Sequence, residues 1–221
     1  MAYITALVST ILVLLLFYNS LTYTLSPLLD EFRLNPSSKW FDFKKNSAGL
    51  KYEFAMALRC DKIVWMRGPF PASEHDITIF RGGKANESED SWDKESLYFA
   101  TKKLGDNIRG VGDSGYAGEP GTILTSKEGQ TKELREFLAR AKSREETLHT
   151  RCKCWNILEN RFRHGHGTEK RMEVHGDVMS AIAVITQYDF ENGAPPFEVR
   201  WFWSHVCLLL HCCYCYNSNN I

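Results

Sequence analysis

The uncharged N-terminus constrains the fold of this chain more than any other feature. Residues 2–29 contain no charged side chain, and residues 6–18 are almost continuously apolar. So much apolar surface has to be removed from water. A run of about 20 such residues is also what spans a bilayer. We therefore consider three interpretations: a buried strand or helix, membrane association through residues 2–25, or sequence added by a misplaced gene start.

The rest of the chain has the composition of a globular protein. Its 221 residues are 43% hydrophobic and 24% charged, which is enough for one domain with a core. The net charge is zero, which argues against a protein that binds nucleic acid through an overall positive charge. A local basic face is still predicted, because cations concentrate in one segment. Its basic residues are Lys132, Arg135, Arg140, Lys142, Arg144, Arg151, Lys153, Arg161, Arg163, Lys170 and Arg171.

Composition divides the chain into three parts. Residues 1–29 form the hydrophobic N-terminal segment, 30–199 a coherent domain, and 200–221 an apolar, cysteine-rich tail. The tail includes Cys212-Cys213-Tyr214-Cys215, but it lacks the two separated cysteine pairs that are typical of a structural zinc site. We therefore expect no zinc site there.

Hydrophobic periodicity predicts strands first and long helices later. The predicted elements are strands at 50–58 and 62–67, a helix at 94–104, a strand at 110–112, and helices at 132–162 and 174–188. The first two strands should form an antiparallel hairpin, since Asp61 and Lys62 lie at a turn between them and Gly68-Pro69 ends the second. This order of elements indicates an α/β fold with a central sheet.

Two acidic residues are candidates for a metal site. Asp113 follows the strand at 110–112, within Gly112-Asp113-Ser114-Gly115-Tyr116, and Glu146 lies on the helix at 132–162. Carboxylates from separate elements can share a Mg²⁺-type ion, which supports phosphodiester cleavage in many nucleases. The same residues also fit simpler interpretations. Asp-Ser-Gly is common in turns, and Glu145-Glu146 next to Arg144 is common on a solvated helix face.

Several blocks in this order resemble one family. The blocks are Trp40 to Glu53, Val64 to Pro71 with His75-Asp76-Ile77, Gly112 to Tyr116, and Ser143 to Thr147 with Arg151 and Lys153. Together they resemble the DDE superfamily endonucleases of the transposase type, in the group related to Harbinger and IS5-like transposases. No block is specific alone, and the resemblance depends on their order.

The resemblance implies an RNase H-like fold, in which a mixed sheet is flanked by helices, and an Asp-Asp-Glu triad that binds Mg²⁺ or Mn²⁺. Asp113 corresponds to the second Asp. Glu146 corresponds to the Glu, because it precedes Arg151 by the family's spacing. Asp76 matches a frequent family residue outside the triad. The family's first Asp, in an Asp-Gly-Thr tripeptide, has no equivalent here. The first strand is thus expected to be missing or replaced, with Asp30 as the nearest third metal ligand.

The resemblance also implies a function and partners. We expect a divalent-metal-dependent DNA endonuclease domain in the nucleus, with Arg144, Arg151 and Lys153 contacting phosphates. A separate DNA-binding partner protein is implied, because the family's N-terminal helical domain has no counterpart here. Two alternatives stay open: a non-catalytic DNA-binding or interaction protein on the same scaffold, and a membrane-anchored protein.

Overall fold

The computed structural model describes residues 14–17, 23–24, 38–42, 47–105, 108–126, 130–159, 162 and 164–199. Within these ranges the chain has a mixed α/β fold with one seven-stranded sheet and five helices. The strands are β1 (Leu14–Phe17), β2 (Tyr23–Thr24), β3 (Phe41–Asp42), β4 (Ser47–Ala57), β5 (Ile63–Pro71), β6 (Gly110–Gly112) and β7 (Ile123–Thr125). Asp30 and the tail at 200–221 lie outside the described residues.

Strand β4 organises the sheet. It pairs antiparallel with β5, for example through Ala55 and Trp65, which confirms the predicted hairpin. It also pairs antiparallel with β1 and with the short strands β2 and β3. Beyond β1 the sheet continues with β6 and β7, both in parallel pairing. The main order is therefore β5–β4–β1–β6–β7, and the sheet is mixed.

The apolar N-terminal segment supplies the central strand. In β1, Leu14 pairs with Ala57 on one side and with Gly110 on the other. The described residues thus include an apolar strand, without an Asp-Gly-Thr tripeptide, between β4 and β6. That it replaces the family's first strand stays a prediction. Uninterrupted apolar sequence is typical of a strand whose two faces are both covered. None of the described helices is long and apolar enough to cross a membrane.

Helices cover both faces of the sheet. They are α1 (Asp76–Arg81), α2 (Leu97–Lys103), α3 (Lys132–Lys153), α4 (Asn156–Glu159) and α5 (Gly167–Glu191). Neighbouring residues of a strand point to opposite faces. Phe54 accordingly lies in a core cluster with residues of α3 and α5, whereas Ala55 lies in a second cluster with residues of α1 and α2.

Most predicted helices are present with shifted ends. The helix predicted at 94–104 is α2, and the one predicted at 174–188 begins earlier and forms α5. The helix predicted at 132–162 is divided, because α3 ends at Lys153 and α4 starts at Asn156. At the start of α3 the Thr131 hydroxyl accepts a hydrogen bond from the Leu134 amide at 3.3 Å, which satisfies a free N–H of the first turn.

Candidate carboxylate site

Asp113 lies at the carboxyl end of β6, as the sequence predicted. The three residues of β6 are buried, and Asp113 begins the turn Ser114–Tyr116. Its Oδ1 accepts a hydrogen bond from the Gly115 amide at 2.8 Å, which fixes the direction of the carboxylate. Strand β6 lies between two parallel neighbours. The carboxyl ends of such strands are where α/β sheets bind ligands.

Gly115 brings a second carboxylate to Asp113. A Cβ atom at this glycine would lie 2.5 Å from Asp76 Oδ2 and 3.0 Å from Asp113 Oδ1. Both oxygens therefore lie close to Gly115, and a side chain at position 115 would collide with the Asp76 carboxylate. The glycine is required here for close approach rather than for an unusual backbone conformation.

Asp76 begins helix α1 and is held by Lys51. The Lys51 Nζ lies 3.2 Å from Asp76 Oδ1 and donates to the Glu74 carbonyl at 2.6 Å. Burial raises the pKa of Asp76, the nearby Lys51 lowers it, and the negative charge of Asp113 raises it again. One Asp76 oxygen is thus paired with a lysine, while the other faces Gly115.

Glu53 is buried on the same face of β4 as Lys51. Its side chain is inaccessible to solvent, and the Trp65 Nε1 donates to its Oε2 at 3.0 Å. Its Oε1 has no hydrogen-bond partner among the described residues. Burial raises the pKa of Glu53 to about 7, and the charge of Asp76 contributes to that rise. Glu53 was not among the predicted site residues, although it is one of two charged residues, with Lys51, in the predicted strand at 50–58.

Helix α3 buries Glu145 and exposes Glu146. Glu145 is only 3% exposed. Burial raises its pKa to about 9, with a further contribution from the charge of Asp113. The Glu146 side chain is 59% exposed and lies 4.0 Å from Lys142. Glu146 as a metal ligand stays a prediction, and Glu145 is the buried acidic residue of α3 on which the charge of Asp113 acts.

The helical repeat explains why Glu145 is buried and Glu146 is exposed. Residues three and four apart share one face of a helix. Glu145 lies four residues after Ala141 and three before Leu148, and both of these are fully buried. Glu146 lies four residues after the exposed Lys142. This spacing was available in the sequence, but Glu146 was chosen because it precedes Arg151 by the family's spacing.

His149 accompanies Glu145 one helical turn later. Its Nδ1 lies 3.4 Å from Glu145 Oε1, and both side chains are almost completely buried. Burial raises the pKa of Glu145, which favours the protonated form of this carboxyl beside the His149 ring.

Arg144 does not belong to a phosphate-binding surface. It is 2% exposed, and its guanidinium donates hydrogen bonds to the carbonyls of Ala57, Cys60 and Phe197 at 3.0, 2.6 and 2.9 Å. It also bonds Asp61 Oδ1 at 3.0 Å. The predicted DNA contact is thus corrected: Arg144 holds the turn of the β4–β5 hairpin, and its donors are occupied.

Arg151 and Lys153, the two other predicted DNA contacts, differ in their surroundings. The Arg151 guanidinium lies 4.8 Å from the centroid of the Phe190 ring, and its Nη2 donates to the Pro195 carbonyl at 3.4 Å. Lys153 is exposed. The charges of Lys142 and Lys153 both lower the pKa of Glu145, so these are exposed cations near the carboxylates.

The carboxylate site comprises Glu53, Asp76, Asp113 and Glu145. Among the described residues, no group of three His, Cys, Asp or Glu side chains converges closely enough to hold a metal ion as they stand. The donor atoms of these residues are carboxylate oxygens, the kind that a Mg²⁺-type ion takes. Glu53 Oε1 has no hydrogen-bond partner among the described residues.

Comparison with protein-family models, with characterised proteins and with solved structures finds no match to this chain. The function is therefore argued from the chain's own geometry.

Proposed function

We propose that this chain is a divalent-metal-dependent nuclease domain of the DDE transposase type that cleaves phosphodiester bonds in DNA. One observation carries the proposal: Asp113 ends a buried parallel strand, and the charge of this carboxylate acts on Glu145, which α3 buries nearby. A carboxylate at a strand end and another on a facing helix are the arrangement that the family resemblance implies, although the resemblance assigns the helix position to Glu146.

The architecture supports an RNase H-like fold. The resemblance implies a mixed sheet flanked by helices, and the described residues form a mixed sheet with helices on both faces. The apolar strand β1 lies between β4 and β6, where it would take the place of the family's first strand.

Asp113 and Glu145 would hold Mg²⁺ or Mn²⁺. When bound, such an ion polarises the phosphate and lowers the pKa of a water nucleophile. Glu145 has to lose its proton to act as a ligand, because burial raises its pKa to about 9. Metal affinity should consequently rise with pH in this range, since proton and metal compete for one carboxylate.

The exposed Lys142 and Lys153 are the cations best placed to contact phosphate, because both act on the charge of Glu145. Arg151 stays a weaker candidate, since its guanidinium packs against Phe190. DNA as substrate, the separate DNA-binding partner protein and the nuclear location all remain parts of the proposal.

Plasmid nicking by the full chain tests the activity. The full chain is needed because a fragment that begins after residue 17 lacks β1, the strand between β4 and β6. We expect nicking that requires Mg²⁺ or Mn²⁺ and is lost in Asp113→Asn and in Glu145→Gln. The matched control is Glu146→Gln, which should nick like the wild type. Equal nicking by wild type and Asp113→Asn would refute the proposal.

A second candidate is a non-catalytic DNA-binding protein on the same scaffold. The observation that favours it is the sequence of β1, Leu-Leu-Leu-Phe, which has no carboxylate where the resemblance implies the first Asp. This alternative predicts salt-sensitive DNA binding that survives both Asp113→Asn and removal of divalent metal. Loss of DNA binding on chelation would contradict it.

A further inference from the structure

We propose that the apolar tail, residues 200–221, covers an exposed apolar face of helix α5. This surface is separate from the carboxylate site, to which α5 contributes no residue, so the inference goes beyond the proposed function. Three observations carry it: the exposed side chains of α5, the place where the described chain ends, and the sequence of the tail.

Helix α5 is apolar on two sides. Its inner side packs in the core cluster that contains Phe54. Its outer face consists of Ala181, Val184, Ile185 and Tyr188, which are exposed and share one side of the helix through spacings of three and four residues. Val184 is 70% exposed and Tyr188 is 65% exposed. Residues 178–188 contain no charged side chain, and a helix that is apolar all round is ordinarily covered.

The described chain ends close to this outer face. The Arg144 guanidinium donates to the Phe197 carbonyl at 2.9 Å and to Asp61 Oδ1 at 3.0 Å. The side-chain amide of Gln187, on α5, donates to the carbonyl of the same Asp61 at 2.8 Å. Phe197 is therefore near Gln187, which immediately precedes the last residue of the outer face. The described residues end two positions later, at Val199, which packs against the core cluster.

The tail has apolar surface of its own to remove from water. Residues 201–221 contain no Lys, Arg, Asp or Glu, and residues 201–210 read Trp-Phe-Trp-Ser-His-Val-Cys-Leu-Leu-Leu. An extended chain covers about 3.3 Å per residue. The outer face is about 10 Å long, because a helix rises about 1.5 Å per residue. Residues 201–210 are therefore long enough to reach and cross it.

The small size of the outer face favours a tethered segment over a second copy of the chain. A stable interface between two chains buries about 800 Å² on each partner, with roughly 20–30 residues a side. Two separate chains also lose translational and rotational freedom when they associate. A segment that directly follows Val199 has to meet mainly the cost of closing a short loop, so a face of a few apolar side chains is sufficient for it.

Photo-cross-linking in the full chain tests the inference. We expect Tyr188→p-benzoylphenylalanine, after irradiation, to form a cross-link within one chain to a peptide from residues 200–221, identified by digestion and mass spectrometry. The matched control is Leu104→p-benzoylphenylalanine. Leu104 is also apolar and is 48% exposed, but it follows α2, on the opposite side of the sheet. The control should give no cross-link to the tail.

A second substitution in the Tyr188 cross-linking chain tests the apolar contact itself. Val184→Glu places a charge in the outer face, so the yield of the cross-link to the tail should fall by at least about 10-fold. Leu104→Glu should leave the yield unchanged. An equal yield in Val184→Glu would overturn the apolar contact.

The cross-linked products also identify any other occupant of the face. A product that joins two chains would assign the outer face to a second copy, and a product without a tail peptide would leave the face without the tail. Either result would overturn the inference, and neither depends on nuclease activity. If melting curves show that Val184→Glu fails to fold, the product formed from position 188 in the otherwise unchanged chain decides alone.

Discussion

Two groups of buried charge in this molecule lie in contrasting environments. Arg144 is surrounded by acceptors, since three backbone carbonyls and Asp61 receive its hydrogen bonds. In the carboxylate site, Glu53 has an oxygen without a partner among the described residues, and Asp113 raises the pKa of both Asp76 and Glu145. The Arg144 guanidinium thus has acceptors from the chain itself, whereas in the carboxylate site Lys51 pairs with one Asp76 oxygen and Glu53 Oε1 has no partner among the described residues.

The partners available to a buried charge indicate whether it stabilises the fold or belongs to a functional site. A buried charge with all its partners holds the fold together, and its loss leaves other polar groups unsatisfied. A cluster of like charges costs stability as long as nothing binds there, and such clusters are typical of functional sites. The two residues that make this contrast, Arg144 and Glu145, are neighbours on α3.

Loss of the Arg144 side chain should have the largest effect. Arg144→Ala removes the guanidinium donors of the Ala57, Cys60 and Phe197 carbonyls and the partner of Asp61, so we expect the free energy of unfolding to fall by about 3–5 kcal/mol. Urea denaturation measures this change. The exposed Arg135→Ala on the same helix is the control and should change stability by less than about 0.5 kcal/mol. A small effect of Arg144→Ala would mean that the guanidinium is not structural.

Glu145→Gln should raise the free energy of unfolding, whereas Arg144→Ala should lower it. The pKa of Glu145 is raised from 4.5 to about 9. The folded chain thus keeps a proton that the unfolded chain releases, and stability falls as pH rises through this window. Glutamine has no proton to lose, so the metal-free variant should be more stable at pH 7 by about 2–3 kcal/mol.

Metal should reverse the order of stability of the wild type and Glu145→Gln. Mn²⁺ is expected to raise the melting temperature of the wild type but not that of Glu145→Gln, because a ligand stabilises only the state that binds it. Glu146→Gln serves as the matched control and should behave as the wild type with and without metal. A destabilised Glu145→Gln variant would show that this carboxyl is structural, like Arg144.

The buried pair of Tyr52 and His175 should make a smaller, pH-dependent contribution to the free energy of unfolding. The Tyr52 hydroxyl lies 2.7 Å from His175 Nδ1, and burial lowers the pKa of His175 from 6.5 to about 4. Between these values the unfolded chain binds a proton that the folded chain does not, so stability falls as pH decreases from 6.5 towards 4. By pH 5 this loss should reach about 2 kcal/mol relative to pH 7.

Denaturation of wild type and His175→Gln across this pH range isolates the histidine, since glutamine offers a hydrogen-bonding group that does not titrate. The wild type should lose more stability than the variant. Parallel pH profiles would instead assign the pH dependence to the carboxylates.

The smallest effect concerns the exposed lysines. Lys153→Ala should weaken DNA binding modestly and reduce the salt dependence of the logarithm of the affinity by about one unit of slope, as for one lost phosphate contact. Lys132→Ala, at the other end of α3, is the matched control. An unchanged slope for Lys153→Ala would place the phosphate contacts elsewhere.

Local patterns in the sequence were sufficient for the hairpin and for the end of β6. The hairpin of β4 and β5, helix α2 and strand β6 with Asp113 at its end all lie where alternation, helical spacing and turn residues predicted them. Each depends on neighbours within a few residues, so the information is local. The division between α3 and α4 was missed, because the apolar spacing continues across Trp155 although the helix is interrupted there.

The carboxylate site could be predicted only in part. Asp113 followed from the sequence alone, but Glu53 did not, since a charged residue is buried there only because two strands and a helix cover it. Glu145 was passed over for Glu146 on the family's spacing, although the positions of Ala141 and Leu148 indicate the inner face of α3. Arg144 was assigned to DNA because its cation was counted as exposed.

The sequence by itself determined the α/β class, the hairpin, the long helices and a carboxylate at the end of a strand, because these depend on short-range periodicity and turn chemistry. Only the tertiary structure decided that the apolar segment at Leu14–Phe17 is the central strand, that Arg144 is occupied by distant carbonyls, and that Asp76 and Glu145 both act on Asp113. These contacts join residues far apart in the chain, and their energies arise from burial, which no local pattern records.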